Sequence, residues 1–312
     1  MRVDAPVVLL GFNRPDKMRN LISSLSPLQP THILLVVDGP RANNPSDVEK
    51  VSEVQECVNL IDWNCSIDTR FRVFNIGLRE SVVDGVNWAT SIAGQAIVIE
   101  DDVEVGPDFL NFMNQMLNRF RDDKSIAHIN GYNVVPAHRL SRPEESIRLT
   151  RYVESFAWAT WDRAWSQYDD SLAWTFSHEF SEILNNRIST IKWRQNFRDA
   201  EAGRINTWAY RWMATIWRNH QLVVSPNVNL VSYRGNEHGT HVTRKPKWQD
   251  LPIEPYSMMT NVPSPVLVDD SADAWLGRNV FSESLRGLVE GLAVTALLVA
   301  KNQHQKYNKK TN

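Results

Sequence analysis

Three consecutive acidic residues, Glu100, Asp101 and Asp102, directly follow an apolar run over residues 96–99. Three carboxylates this close together repel one another, so a positive charge among them is needed to keep the arrangement stable. Oxygen ligands favour hard divalent cations, and the chain has only two cysteines with which to select a softer metal. The acidic triplet therefore predicts a binding site for Mg²⁺ or Mn²⁺.

Arginine side chains follow two further apolar runs. Arg14 comes shortly after the run that ends at Gly11, and Arg79 comes after the run that ends at Phe74. Guanidinium groups make forked hydrogen bonds to phosphate, so we expect these two arginines to converge on the rim of the acidic site. A metal and two arginines at one edge of a sheet suit a nucleotide diphosphate.

A doubly wound α/β sheet would bring these side chains together, because ligands bind beyond the carboxyl ends of its strands. Short runs rich in β-branched residues alternate with helix-like segments through the first half, which is typical of a parallel sheet covered on both faces. The four predicted strands are Val7–Leu10, Ile33–Val37, Phe71–Phe74 and Ala96–Ile99.

The second half has a different pattern. A Trp-dense stretch over residues 156–174 precedes a helical region near residues 208–217, and a proline-rich segment follows over residues 245–265. The last predicted element is an amphipathic helix whose apolar stripe suits packing against the protein, as a lid or docking helix, with a peripheral membrane or dimer contact as the alternative. Its stripe consists of Leu285, Leu288, Val289, Leu292, Ala296 and Val299.

Composition excludes several classes of protein. The 312 residues carry 34 Lys and Arg against 36 Asp and Glu, so the net charge is −2, which argues against general nucleic-acid binding. No glycine-rich dinucleotide fingerprint or P-loop follows the first run, which disfavours dinucleotide redox chemistry and P-loop phosphoryl transfer. We expect no disulfide framework, secretory signal or transmembrane segment, and a cytoplasmic protein that acts in solution or at the inner membrane face.

The segment from Glu100 to Leu110 reads EDDVEVGPDFL and resembles the E-D-D-x-x-x-x-P-D-F segment of the N-acetylglucosaminyltransferase I family and of related bacterial nucleotide-sugar glycosyltransferases. Further resemblances follow in the family's order over residues 5–245. They comprise Phe12–Pro15, Val37–Gly39, Asn75–Leu78, Phe156–Trp161, Trp208–Trp212 and Gly239–His241.

The resemblance implies a GT-A fold, a mixed and mostly parallel sheet flanked by helices, with a C-terminal helical extension. It divides the chain into a glycosyltransferase domain, residues 1–245, and an extended segment with the amphipathic helix, residues 246–312. Within the first domain, a nucleotide-binding half would span about residues 1–130 and an acceptor-side half about residues 131–245.

The same resemblance implies roles for single residues. Asp102 would bind Mn²⁺ or Mg²⁺ between the two phosphates of a UDP-sugar, and Glu100 and Asp101 would contact the ribose or the donor sugar. Asp38 would face the uracil, and Arg14 the uracil or a phosphate. The reaction implied is inverting transfer to a hydroxyl of a glycan or another acceptor, in which a carboxylate removes the acceptor's proton.

One departure from the family's pattern leaves that base unassigned. Many bacterial relatives carry an Asp where this chain has Ala209. The replacements that we consider are Glu201 and Asp199, followed by Glu154.

Two further side chains are predicted to reach the site. Trp158 would stack on a sugar or line the acceptor cleft, and His241, with His238 as the fallback, would bind the metal or the pyrophosphate.

Two other functions stay open at this point. A sugar nucleotidyltransferase would share the substrate class, but the segment around Arg14 supplies little of the glycine and basic character that a triphosphate needs. A degenerate transferase fold that binds a nucleotide sugar without turnover would explain Ala209.

Overall fold

The computed structural model describes residues 5–184, 186–235, 250–256, 265–293 and 295–296. Its centre is an eight-stranded mixed sheet with the strand order β3-β2-β1-β4-β8-β6-β9-β7, and β5 and β10 form a separate antiparallel pair. The strands are β1 (Val7–Gly11), β2 (His32–Val37), β3 (Ser66–Phe71), β4 (Gln95–Glu100), β5 (Val103–Val105), β6 (Ile126–Asn130), β7 (Ile147–Thr150), β8 (Ala157–Trp161), β9 (Leu222–Pro226) and β10 (Val231–Tyr233).

Helices connect these strands and pack on the sheet through apolar faces. Pro15 opens the first helix, where its missing N–H costs nothing, and Met18, Leu21, Ile22 and Leu25 form the buried stripe. Up to residue 280, the α-helices of the described residues are α1 (Pro15–Leu25), α2 (Ser46–Glu56), α3 (Leu78–Ala93), α4 (Phe109–Arg119), α5 (Asp162–Trp165), α6 (Phe180–Ile183), α7 (Arg187–Glu201), α8 (Ala209–Arg218) and α9 (Asp270–Asn279). Residues 285–293 and 295–296 are also helical.

The direction of the strands decides which loops meet. β1 pairs in parallel with both β2 and β4, so these three strands end at the same edge of the sheet. β8 runs antiparallel to β4 and β6 and therefore begins at that edge. The predicted fold class, a mixed and mostly parallel α/β sheet flanked by helices, is confirmed.

Two details of the prediction are wrong. The third strand is β3, not the run Phe71–Phe74, and it lies at the edge of the sheet with most of its side chains exposed. Most of the predicted stripe of the last helix does not pack against the protein, because Leu285, Val289 and Leu292 are exposed, while Leu288 is half-buried and Val299 lies outside the described residues. The predicted domain boundary at residue 245 lies outside the described residues and stays a prediction.

Candidate functional site

The carboxyl edge of β1, β2 and β4 collects most of the predicted site residues. Arg14 lies between the end of β1 and the first turn of α1, Asp38 directly follows β2, and Glu100–Asp102 end β4 and begin the next turn. Because β8 starts at this edge, the segment before it, which contains Glu154, passes the same side of the sheet. A parallel sheet thus brings residues from distant parts of the sequence to one rim.

Arg14 joins the two aspartates of the acidic triplet. Its Nη2 atom lies 2.6 Å from Oδ1 of Asp101, and its Nη1 atom lies 2.9 Å from Oδ2 of Asp102. Both aspartates are nearly inaccessible, with 3% and 5% of their surface exposed. The positive charge that the triplet requires is therefore supplied by this guanidinium in the structure.

Crowding and burial shift the pKa values of the groups in this constellation. Burial, followed by the charges of Asp102 and Asp101, raises the pKa of Glu100 well above its usual range. Burial raises the pKa of Asp101 to about 7, although the charge of Arg14 opposes the shift. For Arg14, burial lowers the pKa, but the carboxylates of Asp101 and Asp102 outweigh that effect and the net shift is upward. The site retains excess negative potential that a further cation would relieve.

One carboxylate oxygen in the site has no partner. Oδ1 of Asp102 is buried and accepts no hydrogen bond from any of the described residues, while Oδ2 is held by Arg14. A buried acceptor without a partner costs free energy, and a hard divalent cation is the natural partner for it. The residues present therefore fit a metal bound through one carboxylate, with water and phosphate oxygens completing the shell, as Mg²⁺ and Mn²⁺ sites at nucleotides often have.

A complete cage of protein ligands is not present in the described part of the chain. Among those residues, no three His, Cys, Asp or Glu side chains gather in an arrangement that could hold a metal ion. The two predicted histidine ligands, His241 and its fallback His238, lie outside the described residues.

Asp38 organises the neighbouring loop. Its two carboxylate oxygens accept hydrogen bonds from the backbone N–H groups of Gly39, Ile76 and Gly77 and from the Asn75 side chain, all between 2.9 and 3.0 Å. The loop needs both glycines, because a Cβ at Gly39 would collide with the backbone of Phe74, and Gly77 has a φ of +93°. Both oxygens of the Asp38 carboxylate, which is predicted to contact uracil, thus already accept hydrogen bonds from the loop.

An open cleft of about 310 Å³ lies beside this loop, and sequence reasoning missed it. Val73 and Phe74 on its wall are 75% and 77% exposed, which is unusual for large apolar side chains in a soluble domain. The cleft is lined by Pro40, Arg41, Ala42, Asn44, Pro45, Val48, Val73, Phe74 and Asn75. A flat apolar group, such as a nucleobase, could rest against this wall.

Arg79 is held away from the acidic triplet by its own partners. It forms ion pairs with Glu80 and with Asp170, the latter at 2.7 Å. The expected convergence of Arg79 with Arg14 is not observed, since Arg14 bonds to Asp101 and Asp102 instead. A phosphate contact by Arg79 would require it to leave these carboxylates.

Trp158 has a different position from the one predicted. Its indole is fully buried and stacks on His128 and Trp208, with ring centroids 4.9 Å apart in both cases. No ring face is left for a sugar, so the predicted role of Trp158 as an open sugar platform is wrong. Instead it supports Trp208, whose side chain partly opposes the rise in the pKa of Glu100.

The three candidate bases have contrasting surroundings. Asp199 is buried, with Nε of Arg204 at 2.6 Å and the Thr295 hydroxyl at 2.8 Å, so its carboxylate holds local structure together. Glu201, at the end of α7, is exposed. Glu154 is buried, and in the part of the chain that the structure describes neither of its carboxylate oxygens has a hydrogen-bond partner. The assignment of the base stays a prediction.

No family model and no curated protein sequence matches this chain. Solved structures with a partial likeness include a mannosyltransferase from Pyrobaculum calidifontis in complex with GDP-Man and Mn²⁺, at 12% identity and a TM-score of 0.34, over 51% of this chain and 45% of that one. A UDP-glucose pyrophosphorylase complexed with UDP-glucose aligns at 7% identity and a TM-score of 0.38, over 72% and 90% of the two chains. The apo form of mouse xyloside xylosyltransferase 1 aligns at 12% identity and a TM-score of 0.34, over 69% of this chain and 81% of that one. Likenesses this distant do not decide an activity.

Proposed function

We propose that this chain is a metal-dependent, inverting glycosyltransferase that moves a sugar from a UDP-sugar to a hydroxyl acceptor in glycan or polysaccharide assembly. The observation that carries the proposal is the pair Asp101 and Asp102, bridged by Arg14 at the carboxyl edge of the sheet, with one buried oxygen of Asp102 left without a partner. This arrangement supports a site for a cation and a diphosphate at the edge where α/β sheets bind nucleotides.

The donor would lie across this edge. Asp102 would hold Mn²⁺ or Mg²⁺ through Oδ1, and the bound ion would offset the negative charge that develops on the leaving diphosphate. Arg14, about a third exposed, would fix the orientation of the Asp102 carboxylate through Oδ2. The nucleoside would rest in the cleft beside Phe74, whose wall is braced by the hydrogen bonds that Asp38 accepts from the loop.

The chemistry that we propose is a single in-line displacement. The acceptor hydroxyl oxygen forms a bond to the anomeric carbon, the bond from that carbon to the phosphate oxygen breaks, and UDP leaves with the electron pair. The hydroxyl proton passes to a carboxylate, for which Glu201 remains the first candidate because Asp199 is already engaged by Arg204. Such general-base help contributes about 10²–10⁴-fold to the rate.

The first experiment measures nucleotide binding and turnover separately. Calorimetric titration with UDP, GDP, CDP and TDP, each with and without Mn²⁺, should show the tightest binding for UDP with Mn²⁺. Incubation with a panel of UDP-sugars should then release UDP, by hydrolysis or by transfer to added acceptors. Binding of UDP that is indifferent to the metal would contradict the proposal.

The second experiment tests the base. Glu201→Gln should lower turnover by about 10²–10⁴-fold with little change in the KM for the donor, because the proton acceptor acts in the transition state. Glu179→Gln, a substitution at another exposed glutamate of the second half, is the matched control and should leave turnover unchanged. Turnover of Glu201→Gln within a few-fold of the parent would reject Glu201 and leave Glu154 as the next candidate.

A nucleotide-sugar-binding protein without turnover is the second candidate. Two observations favour it: Ala209 stands where many of the proteins that the sequence resembles carry an Asp, and Asp199 is occupied by Arg204 and Thr295. Metal-dependent UDP binding combined with no hydrolysis or transfer across the donor panel would decide for this candidate.

A further inference from the structure

The helical segment over residues 285–293 and 295–296 packs on α7 through its small and polar side. Gly291 lies so close to the ends of the Lys192 and Gln195 side chains that a Cβ would collide with them. One turn later, the hydroxyl of Thr295 donates a hydrogen bond of 2.8 Å to Asp199. These contacts fix which side of the helix faces the protein.

A second set of contacts anchors the chain just before this helix. The carboxylate of Glu283 accepts hydrogen bonds from Tyr152 Oη at 2.8 Å and from Trp193 Nε1 at 2.6 Å. Phe281 stacks on Tyr152, with ring centroids 4.9 Å apart. The helix is thus attached just before its first turn and again through Thr295, and these two attachments set its rotation about its own axis.

This orientation turns the apolar stripe outward. Leu285, Val289 and Leu292 are 69%, 68% and 64% exposed, Ala296 on the same stripe is exposed as well, and Leu288 is half-buried. An amphipathic helix that serves only to complete a domain buries its apolar side, whereas this one buries its glycine and threonine side. Apolar side chains arranged in one exposed stripe indicate a surface that another body covers.

The sequence that follows the stripe indicates the charge of that body. Residues 297–312 contain four lysines and no aspartate or glutamate, and they begin with further apolar residues. The lysines are Lys301, Lys306, Lys309 and Lys310. Exposed apolar side chains next to a lysine-rich run are the combination by which interfacial segments bind anionic membranes.

We propose that the stripe and the lysine run together bind the surface of an anionic lipid bilayer, with the helix lying in the plane of the interface. A second copy of this chain is the alternative occupant, and the test below distinguishes it by the oligomeric state. Spread-out lysines match the diffuse charge of a lipid surface, whose attraction adds about 1 kcal/mol for each lysine near it. In the described residues no helix is long and apolar enough to cross a membrane.

Sedimentation with vesicles tests the proposal. The full chain should sediment with vesicles of phosphatidylcholine and phosphatidylglycerol and should bind at least about tenfold less to pure phosphatidylcholine. The triple substitution Leu285→Ser, Val289→Ser and Leu292→Ser should weaken binding to the anionic vesicles by at least about tenfold. Replacing the four lysines with serine should remove most of the dependence on anionic lipid and on salt.

The matched control places serine at three exposed apolar positions elsewhere, Leu60, Ile92 and Leu267, which are 47%, 50% and 48% exposed. This control variant should bind vesicles like the parent, and circular dichroism and thermal unfolding should confirm that each variant is folded. Absence of vesicle binding by the parent would overturn the proposal. So would a parent that is a dimer by sedimentation velocity and becomes a monomer on substitution of the stripe. These readouts do not depend on nucleotide chemistry, so a failed transferase assignment would leave them interpretable.

Discussion

Asp102→Asn is expected to lower the affinity for UDP in the presence of Mn²⁺ by at least about a hundredfold and to abolish detectable turnover. The substitution keeps the size of the side chain and an oxygen that can accept from Arg14, but it removes the negative charge and weakens the one buried oxygen that is free to bind a metal. Loss of a single carboxylate ligand and its charge has effects of this size in metal-assisted sites. Calorimetric titration of UDP with and without Mn²⁺ measures the effect, because affinity without the metal should change little.

Glu104→Gln provides the matched control for this prediction. Glu104 lies two residues further along the same segment, in β5, and pairs at the surface with Arg234. Its substitution removes one negative charge from the neighbourhood without touching the constellation around Arg14, so metal-dependent binding should persist. Equal losses in the two variants would indicate a general electrostatic effect and not a metal ligand at Asp102.

The geometry around Asp102 explains how Arg14 and a metal could act together. Arg14 uses Oδ2 of Asp102 and Oδ1 of Asp101, which leaves Oδ1 of Asp102 as the remaining buried acceptor. A metal at that oxygen therefore does not have to displace the guanidinium. The arginine would keep the carboxylate in a fixed orientation and would limit the repulsion within the triplet before any nucleotide arrives.

Local sequence patterns predicted the parts of the fold that are buried on both faces. β1, β2 and β4 are continuous apolar runs in the middle of the sheet, and α1 has its apolar residues at helical spacing. β3 was missed because an exposed edge strand needs no apolar run: its sequence SIDTRF carries mostly polar side chains.

Some positions in the candidate site could also be predicted from the sequence, and others could not. Arg14 and the aspartates of the triplet could be predicted to meet, because parallel neighbouring strands end at one edge and the chemistry of these residues follows from their types. The positions of Trp158 and Trp208 could not, because both depend on how residues far apart in the sequence pack against each other. The partners of Asp199 were equally hidden, since Thr295 lies 96 residues away.

The substitution Glu154→Gln is expected to change the unfolding free energy of the protein more favourably at pH 8 than at pH 4.5. Burial raises the pKa of Glu154 from 4.5 to about 8, and the more distant charge of Arg148 opposes the shift only in part. Between these two values the folded protein holds a proton on Glu154 that the unfolded chain releases, so the contribution of Glu154 to stability falls as the pH rises. At pH 8 that cost reaches roughly 4 kcal/mol relative to pH 4.5, where Glu154 is protonated in the folded protein and about half protonated in the unfolded chain.

Glutamine remains neutral at every pH and removes this dependence. The difference in unfolding free energy between Glu154→Gln and the parent, measured in urea, should therefore shift in favour of the variant by up to roughly 4 kcal/mol on going from pH 4.5 to pH 8. Any constant cost of burying the amide cancels in that comparison. Glu145→Gln, at a less buried glutamate paired with Arg142, is the control and should show no comparable shift.

A difference between Glu154→Gln and the parent that does not change with pH would mean that Glu154 has an ordinary pKa in the folded protein, and hence a partner for its carboxylate. If the shift appears, Glu154 is a buried acid that lowers the stability of the folded protein near neutral pH. An apolar side chain at this position would then make the protein more stable. A destabilising carboxyl group retained beside the carboxyl edge of the sheet is typical of a group kept for function. That result would make Glu154 the next residue to test as the proton acceptor if Glu201→Gln leaves turnover intact.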